Sequence, residues 1–500
     1  MKTTVPLCLG SLLLAMGCGD DSKSGGAGGA PAGGGGQGTG AMGTGAEGTG
    51  ATGASGGSGG GVPDVPLIGE VLTCGVAGTT GGMAPGADLQ RYDLDLAVFP
   101  DALCNDGTGA VLYFRPYSGQ ANRNRWVVQL LGGGFCSTAQ SCADRWCSEG
   151  TPFSMTQMTS NVAPAGGTVG NGIFERRPDN PIGNYNHVLL RYCSSDLHAG
   201  MSRDVIVQAN VPGTADPTEF RMHFLGTSIL DATLATLRAE GVAPLEYTLD
   251  GGTTEMPDLD DAVLFILAGA SAGGSGTTTQ VDRVAASFSA PAPQVAALID
   301  SAFTPDRSLV GYDQSVLCAD QGACSYEEVL ALEASSTVYS VRADESCVEW
   351  HADNDPDNAF RCDDEGHVIR HHVSTPMVVR QGQRDTLLSG NFLDAGLGVT
   401  PGAPPMTLND YEALVRADLE ALAALQTDAE EGIDIARAPG VFGPTCDKHE
   451  TLRSTADTFD VSIDVNGQDV FMFDVITNWG LNMQPSIAVT PAGGVETCVP

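Results

Sequence analysis

Residues 262–268 form an apolar run that breaks into Gly269-Ala270-Ser271-Ala272-Gly273, and residues 275–287 then carry helix-compatible sequence. A short apolar run bounded by turn residues is a buried strand. Strand, glycine-bounded turn and helix in succession turn a weak G-x-S-x-G pattern into a nucleophile elbow. Such a turn strains the serine backbone, which only small neighbours permit. It also lifts the hydroxyl to the end of a sheet, beside a helix N-terminus that favours negative charge. The stretch therefore asks for an α/β fold around it. Gly53-Ala54-Ser55-Gly56-Gly57 fits the same pattern but has no strand before it and no helix after it, so it carries no catalytic weight.

The rest of the 500 residues bound the classes of function. Lys and Arg number 24 against 61 Asp and Glu, a net charge of −37 with no basic cluster. That surface repels phosphate backbones and excludes nucleic acid as the expected partner. Cys8 and Cys18 lie in the leader, and twelve more cysteines are spread from Cys74 to Cys498. In an exported chain that even number reads as disulfides. Cys318–Cys324 and Cys347–Cys362 are short-loop candidates. Zinc is the rival reading, but the spacing of Cys142 and Cys147 misses C-x-x-C and no paired histidines follow at ligand spacing. No metal or cofactor is expected.

Residues 1–18 read as a signal peptide: a short basic start, an apolar run over 5–16, then Gly17-Cys18. Leu14-Ala15-Met16-Gly17-Cys18 resembles a bacterial lipobox, although Ala15 stands where leucine is expected. Cleavage before Cys18 and acylation there would make membrane contact solely through the lipid, on a bacterial outer membrane or cell surface. Ordinary cleavage and secretion is the alternative. Residues 19–61 are Gly-, Ala-, Ser- and Thr-rich and cannot bury enough apolar surface to order themselves, so a disordered tether is expected. Residues 62–500 are left for one folded domain.

Within that domain, strands are expected at 94–99, 111–115, 126–131, 187–192, 262–268, 295–303 and 376–381, and amphipathic helices at 224–240 and 410–426. Asn466-Gly467 marks a hairpin. Strands alternating with helices argue a mostly parallel sheet flanked by helices. The strand at 126–131 runs into Gly132-Gly133-Gly134, where backbone N–H groups can face a ligand without a Cβ in the way.

A nucleophilic serine needs a base, and the base needs an orienting carboxylate. In the order Ser, Asp, His, the downstream base is His449, in a late Gly/Pro-rich loop. His371 and His372 precede the strand at 376–381, at its far end from the elbow. Asp385 follows that strand at its C-terminal end, where ligands and catalytic groups collect. Asp300, at mid-strand, is the rival carboxylate and suits a structural role better.

Several blocks together resemble the pectin acetylesterase/Notum family of serine esterases, an α/β-hydrolase-like fold. They are Leu130-Leu131-Gly132-Gly133-Gly134-Phe135-Cys136, Tyr192-Cys193-Ser194-Ser195-Asp196, residues 267–276 continuing to Val281-Asp282-Arg283, Asp300-Ser301, Asp385 and Cys446-Asp447-Lys448-His449. The resemblance implies Ser271 as nucleophile, His449 as base, Asp385 as its partner, and an oxyanion hole from the N–H groups of Gly133, Gly134 and Ala272. Leu131 stands where the family often has an acidic residue, and Gly134-Phe135 where it has a tryptophan beside the glycines, so substrate choice stays open. The expected activity is hydrolysis of O-acyl esters, acetyl first, on pectin or another polysaccharide. A Notum-like deacylase of longer acyl chains is the alternative, and a non-catalytic binding module on the same fold is a third reading. Asp353, Asp355, Asp357 and Asp364 have calcium-loop spacing, but Pro356 interrupts and no glutamate closes the loop, so an acidic surface loop is expected there.

Overall fold

The computed structural model describes residues 65–74, 86–148, 153–211, 216–249, 252–309, 325–394, 406–425, 432, 438–481 and 486–493. The leader, the glycine-rich stretch, Cys318, Cys324 and Cys498 lie outside them.

Nine strands form one sheet: β1 Gln90–Asp93, β2 Val111–Arg115, β3 Arg125–Leu130, β4 Asn186–Leu190, β5 Leu264–Ala270, β6 Gln294–Asp300, β7 Met377–Arg380, β8 Gly440–Gly443 and β9 Ile487–Val489. Their order is β1-β2-β4-β3-β5-β6-β7-β8-β9. β1, β2 and β4 pair antiparallel, and from β4 through β3 to β9 every pairing is parallel. Parallel strands need covered faces, and alternate residues go to opposite cores. Val128, Phe265, Leu267 and Ile299 pack on one side, and Val127, Ile266, Ala268 and Leu298 on the other. This is the α/β-hydrolase-like architecture that the elbow demanded.

Three helices position the chemistry: α1 Ala139–Cys147, α2 Gly226–Leu237 and α3 Ala272–Ala286. α3 follows β5 directly. The second expected amphipathic helix is Leu408–Ala423.

Two expectations fail on local chemistry. Residues 94–99 are a turn, because the Asp95 carboxylate takes the Ala97 N–H and its carbonyl takes those of Val98 and Phe99. The strand is instead the preceding Gln90–Asp93. The stretch expected as a loop from residue 441 begins as β8, so His449 follows a sheet strand and a further strand, β9, lies beyond it. The Asn-Gly hairpin forms, shorter than expected, between Ser462–Val465 and Gln468–Phe471 with Asn466 and Gly467 at positive φ.

Disulfides join Cys74–Cys147, Cys104–Cys193, Cys136–Cys142 and Cys347–Cys362, and Cys446 is also disulfide-bonded. Among the described residues no cysteine is free, and no helix is long and apolar enough to cross a membrane. The acidic stretch around residue 355 folds as the end of one helix and a 3-10 turn rather than a calcium loop. Asp364 is buried there, capping the next helix through Gly366 N and accepting from the Tyr326 hydroxyl.

Candidate active site

Ser271 joins β5 to α3 at φ 55° and ψ −126°. This is the left-handed side of the map, costly for a residue with a Cβ. Packing enforces it. A Cβ on Gly273 would fall 2.1 Å from the Leu130 carbonyl oxygen at the end of β3, and one on Gly269 would fall 1.9 Å from the Gly273 carbonyl oxygen. Only glycines let β5, α3 and β3 close to that distance. The Ser271 N–H donates to the Asp300 carbonyl at 3.0 Å. Ser271 stands at the N-cap of α3, where a serine hydroxyl ordinarily accepts from the helix backbone. Here it does not. Ser271 Oγ is buried and makes no hydrogen bond.

The His449 loop reaches this point through Asp300 and its neighbour. Asp300 Oδ2 accepts from Thr451 N (2.7 Å), Thr451 Oγ1 (3.1 Å) and Leu452 N (3.3 Å). Ser301 Oγ accepts from Glu450 N at 3.2 Å. Asp300 also pairs with Arg380 at 3.2 Å, both fully buried. It is the scaffold carboxylate that ties the His449 loop to β6, and it does not hydrogen-bond the His449 ring.

Asp385, wholly buried after β7, takes that partnership. His449 Nδ1 lies 2.8 Å from its Oδ2 and 3.0 Å from its Oδ1. Leu387 N and Leu388 N donate to Oδ1, so the carboxylate is held before the histidine meets it. With Nδ1 directed at Asp385, His449 Nε2 is left as the free nitrogen, and it too is buried without a partner. Ser271 Oγ and His449 Nε2 are not hydrogen-bonded to each other. Burial opposes a charged His449 ring, but the Asp385 carboxylate outweighs it by charge and hydrogen bond, with Glu450 and Asp300 adding to it. The imidazole therefore sits above its ordinary value.

The glycine triplet follows β3. Gly133 has φ 144° and Gly134 φ 63°. The buried Arg145 guanidinium on α1 donates to the Gly133 carbonyl at 2.7 Å, which fixes the peptide plane joining Gly133 to Gly134. Burial lowers Arg145 to about 10, still charged at neutral pH. Neither Gly133 N–H nor Gly134 N–H donates to the described backbone, and Ala272, first in α3, has no intrahelical acceptor for its own. A second buttress is the loop after β4, where Ser195, Leu197 and His198 all have positive φ. His198 Nε2 contacts the Leu131 carbonyl at 2.9 Å, Cys136 N donates to the Ser195 carbonyl, and Asp196 accepts from Ser194 Oγ, His198 N and Gly226 N. Burial raises Asp196 to about 6 despite those bonds.

Sequence reasoning missed Arg145 and Glu450. Glu450 adjoins His449, and a Cβ on Gly132 would fall on its carboxylate. Burial, chiefly, raises its pKa. Nothing in its spacing marks it; only its place after His449 could have raised it. An apolar hollow lined by Ile182, Tyr185, Leu264, Ile266 and Trp479 lies at the opposite, N-terminal end of β5 and plays no part in this site.

The sequence profile of the family described as "Pectinacetylesterase" matches residues 87–489, which includes every element above. The chain belongs to the pectinacetylesterase family. Curated relatives lie on both sides of it. Palmitoleoyl-protein carboxylesterase NOTUM of Homo sapiens is 28% identical over 242 residues, 47% of this chain and 40% of that protein. Its counterpart in Drosophila melanogaster is 32% identical over 182 residues, 36% of this chain and 22% of that one. Pectin acetylesterase 11 of Arabidopsis thaliana is 26% identical over 159 residues, 32% of this chain and 36% of that one. The matches thus span less than half the length of these relatives. The crystal structure of the Wnt deacylase Notum from Drosophila superposes with a TM-score of 0.55 at 21% identity, covering 83% of this chain and 100% of that one. At that identity it speaks for the shared fold.

Proposed function

We propose that this pectinacetylesterase-family chain is a serine carboxylesterase with Ser271 as nucleophile, His449 as base and Asp385 as the group that orients the base. Ser271 Oγ bonds to the ester carbonyl carbon while its proton passes to His449 Nε2. The carbonyl oxygen takes the negative charge on the N–H groups of Gly133, Gly134 and Ala272. Collapse breaks the bond to the alcohol, which leaves with the proton from His449. Water then attacks the acyl-enzyme by the same route and frees the acid. The observation that carries this reading is the hydrogen-bonded Asp385–His449 pair, whose remaining nitrogen is free, in a chain whose strained Ser271 hydroxyl is also free.

Of the two acyl classes, the longer chain is the better supported. Relatives named as palmitoleoyl-protein carboxylesterases recur among the matches, and Phe153 lies against Gly134, where a Cβ would meet its ring at 2.8 Å. Acetyl esters of pectin or another polysaccharide remain the second reading, carried by the family description and the plant relative. Ser271→Ala should abolish hydrolysis of p-nitrophenyl octanoate and labelling by a fluorophosphonate. Wild-type turnover or labelling in that variant would sink the esterase reading. A rate on the acetyl ester well above that on the octanoyl ester would transfer the proposal to deacetylation. Cleavage is proposed before Cys18, leaving an acylated Cys18 as the mature N-terminus, which an intact mass tests.

A further inference from the structure

Three buried histidines that the ester chemistry does not use converge on one point elsewhere in the fold. His351 lies on α4 Glu345–Asn354, His367 on α5 Glu365–His371, and His372 caps α5. All three are buried. His367 Nε2 lies 3.2 Å from His351 Nε2 and 3.1 Å from His372 Nε2. With Cys347 Sγ, the donor atoms all lie within 4.8 Å of one another.

Hydrogen bonding among the rings does not account for this. One Nε2 carries either one proton or one in-plane lone pair. His367 Nε2 therefore cannot form a separate, well-directed bond to each neighbour. Without a cation, lone pairs face one another in a buried space, where such contacts are costly. Around a zinc ion with Zn–N bonds of about 2.0–2.1 Å, tetrahedral ligand nitrogens stand about 3.3–3.4 Å apart, close to the spacing seen here. The tautomer also fits. His351 Nδ1 lies 3.0 Å from the Asp355 carbonyl, so it carries the proton and turns a bare Nε2 inward, as the outer hydrogen bond of a metal-bound histidine does. His372 Nδ1 is buried without a partner, which leaves the orientation of that ring to be explained by its other nitrogen.

We propose that His351, His367 and His372 bind one divalent transition-metal ion through their Nε2 atoms, with zinc the best match. An all-imidazole donor set selects Zn²⁺ and its first-row neighbours over Ca²⁺ or Mg²⁺, which want oxygen. Cys347 is bonded to Cys362 and gives no thiolate in the oxidised chain, so the three imidazoles are the protein's ligand set. The ion would be structural. It clasps α4 to α5, and both pack against helix α3, which begins after Ser271. No ligand touches the proposed substrate site.

The test uses the full chain without a polyhistidine tag, produced with zinc in the medium. Elemental analysis should return about one zinc per chain in the wild type and in Ser271→Ala, and close to none in His367→Gln and His351→Gln. Metal-stripped wild type should bind Co²⁺ with the visible bands of a four-coordinate site of three nitrogens and one exogenous ligand, and added Zn²⁺ should raise its Tm while leaving that of His367→Gln unchanged. If a variant fails to fold, the wild-type titration decides alone. The proposal is overturned if stripped wild type, shown to be folded by fluorophosphonate labelling or its near-ultraviolet spectrum, takes up no Zn²⁺ and keeps its Tm. It is equally overturned if both histidine variants retain the metal. Metal content and labelling are separate readouts, so loss of the esterase reading leaves this one standing.

Discussion

At the scale of single residues, the proposed mechanism ties the pH dependence to His449 and Asp385. As the proposed base His449 acts when neutral, and its neighbours raise its pKa above the usual histidine value. Activity is therefore present above that raised pKa and lost as pH falls through it. The acid limb of kcat/KM should have its midpoint above about 6.5. Asp385→Asn removes the first-named attraction and should lower kcat by about a thousandfold or more, with the acid limb moved to lower pH. Glu450→Gln removes a weaker one, so its limb should move down less while kcat stays within about tenfold of wild type. A pH–rate profile of the three proteins checks both. An acid limb that stays in place in Asp385→Asn would mean that His449 is not the titrating base. Glu450 illustrates what a sequence hides at this scale: its proximity to the glycine triplet comes from the Asp300 and Ser301 bonds that fold back the 449–452 loop.

At the scale of elements, the glycine triplet and the helix behind it act together. Gly133 and Gly134 hold φ values that a Cβ disfavours, and a Cβ there would meet Gln157 at 2.7 Å or Phe153 at 2.8 Å. Gly134→Ala should lower kcat by about a hundredfold with KM little changed, the mark of lost transition-state stabilisation. Arg145→Met unties the Gly133 carbonyl and should reproduce part of that kcat loss together with a lower Tm. Steady-state kinetics beside a melting curve separates the two effects. Asp300→Ala strands Arg380 as a buried charge and frees the His449 loop, at a cost of about 3–5 kcal/mol of stability by urea unfolding. Elements with their own apolar density were legible in the sequence: β3, β5, β6 and α2 fall within a few residues of expectation. β8 was not, since Gly440-Val441-Phe442-Gly443 has little strand character and exists because β7 and β9 satisfy its backbone from both sides.

At the scale of the molecule, two disulfides join distant segments, Cys74–Cys147 and Cys104–Cys193. Cys104–Cys193 closes a separation of 89 residues next to the loop that supports the glycine triplet. Losing that crosslink should cost about 4–5 kcal/mol by the loop-entropy relation. A Cys104→Ala/Cys193→Ala pair should show it as a lowered denaturation midpoint, and an unchanged midpoint would place the constraint elsewhere. The sequence by itself determined the chemistry-bearing order and the layer scheme. Ser271 and Asp385 follow strands that their apolar runs already marked, whereas the strand before His449 is set by its neighbours in the sheet, and groups at the carboxyl ends of parallel strands share one edge of the sheet wherever helices cover both faces. The sequence already favoured Asp385 over Asp300 as the partner of His449, by its place after β7, and tertiary structure supplied what lies across from each: Arg380 and the Thr451 backbone for Asp300, His449 for Asp385. Tertiary structure alone gathered His351 with His367 and His372: the latter two form an H-x4-H pair of zinc-site spacing that the expectation of no paired histidines overlooked, but nothing in the sequence links His351, 16 residues before His367, to them. A turn between two helices brings them together, and chain separation carries no record of that fold.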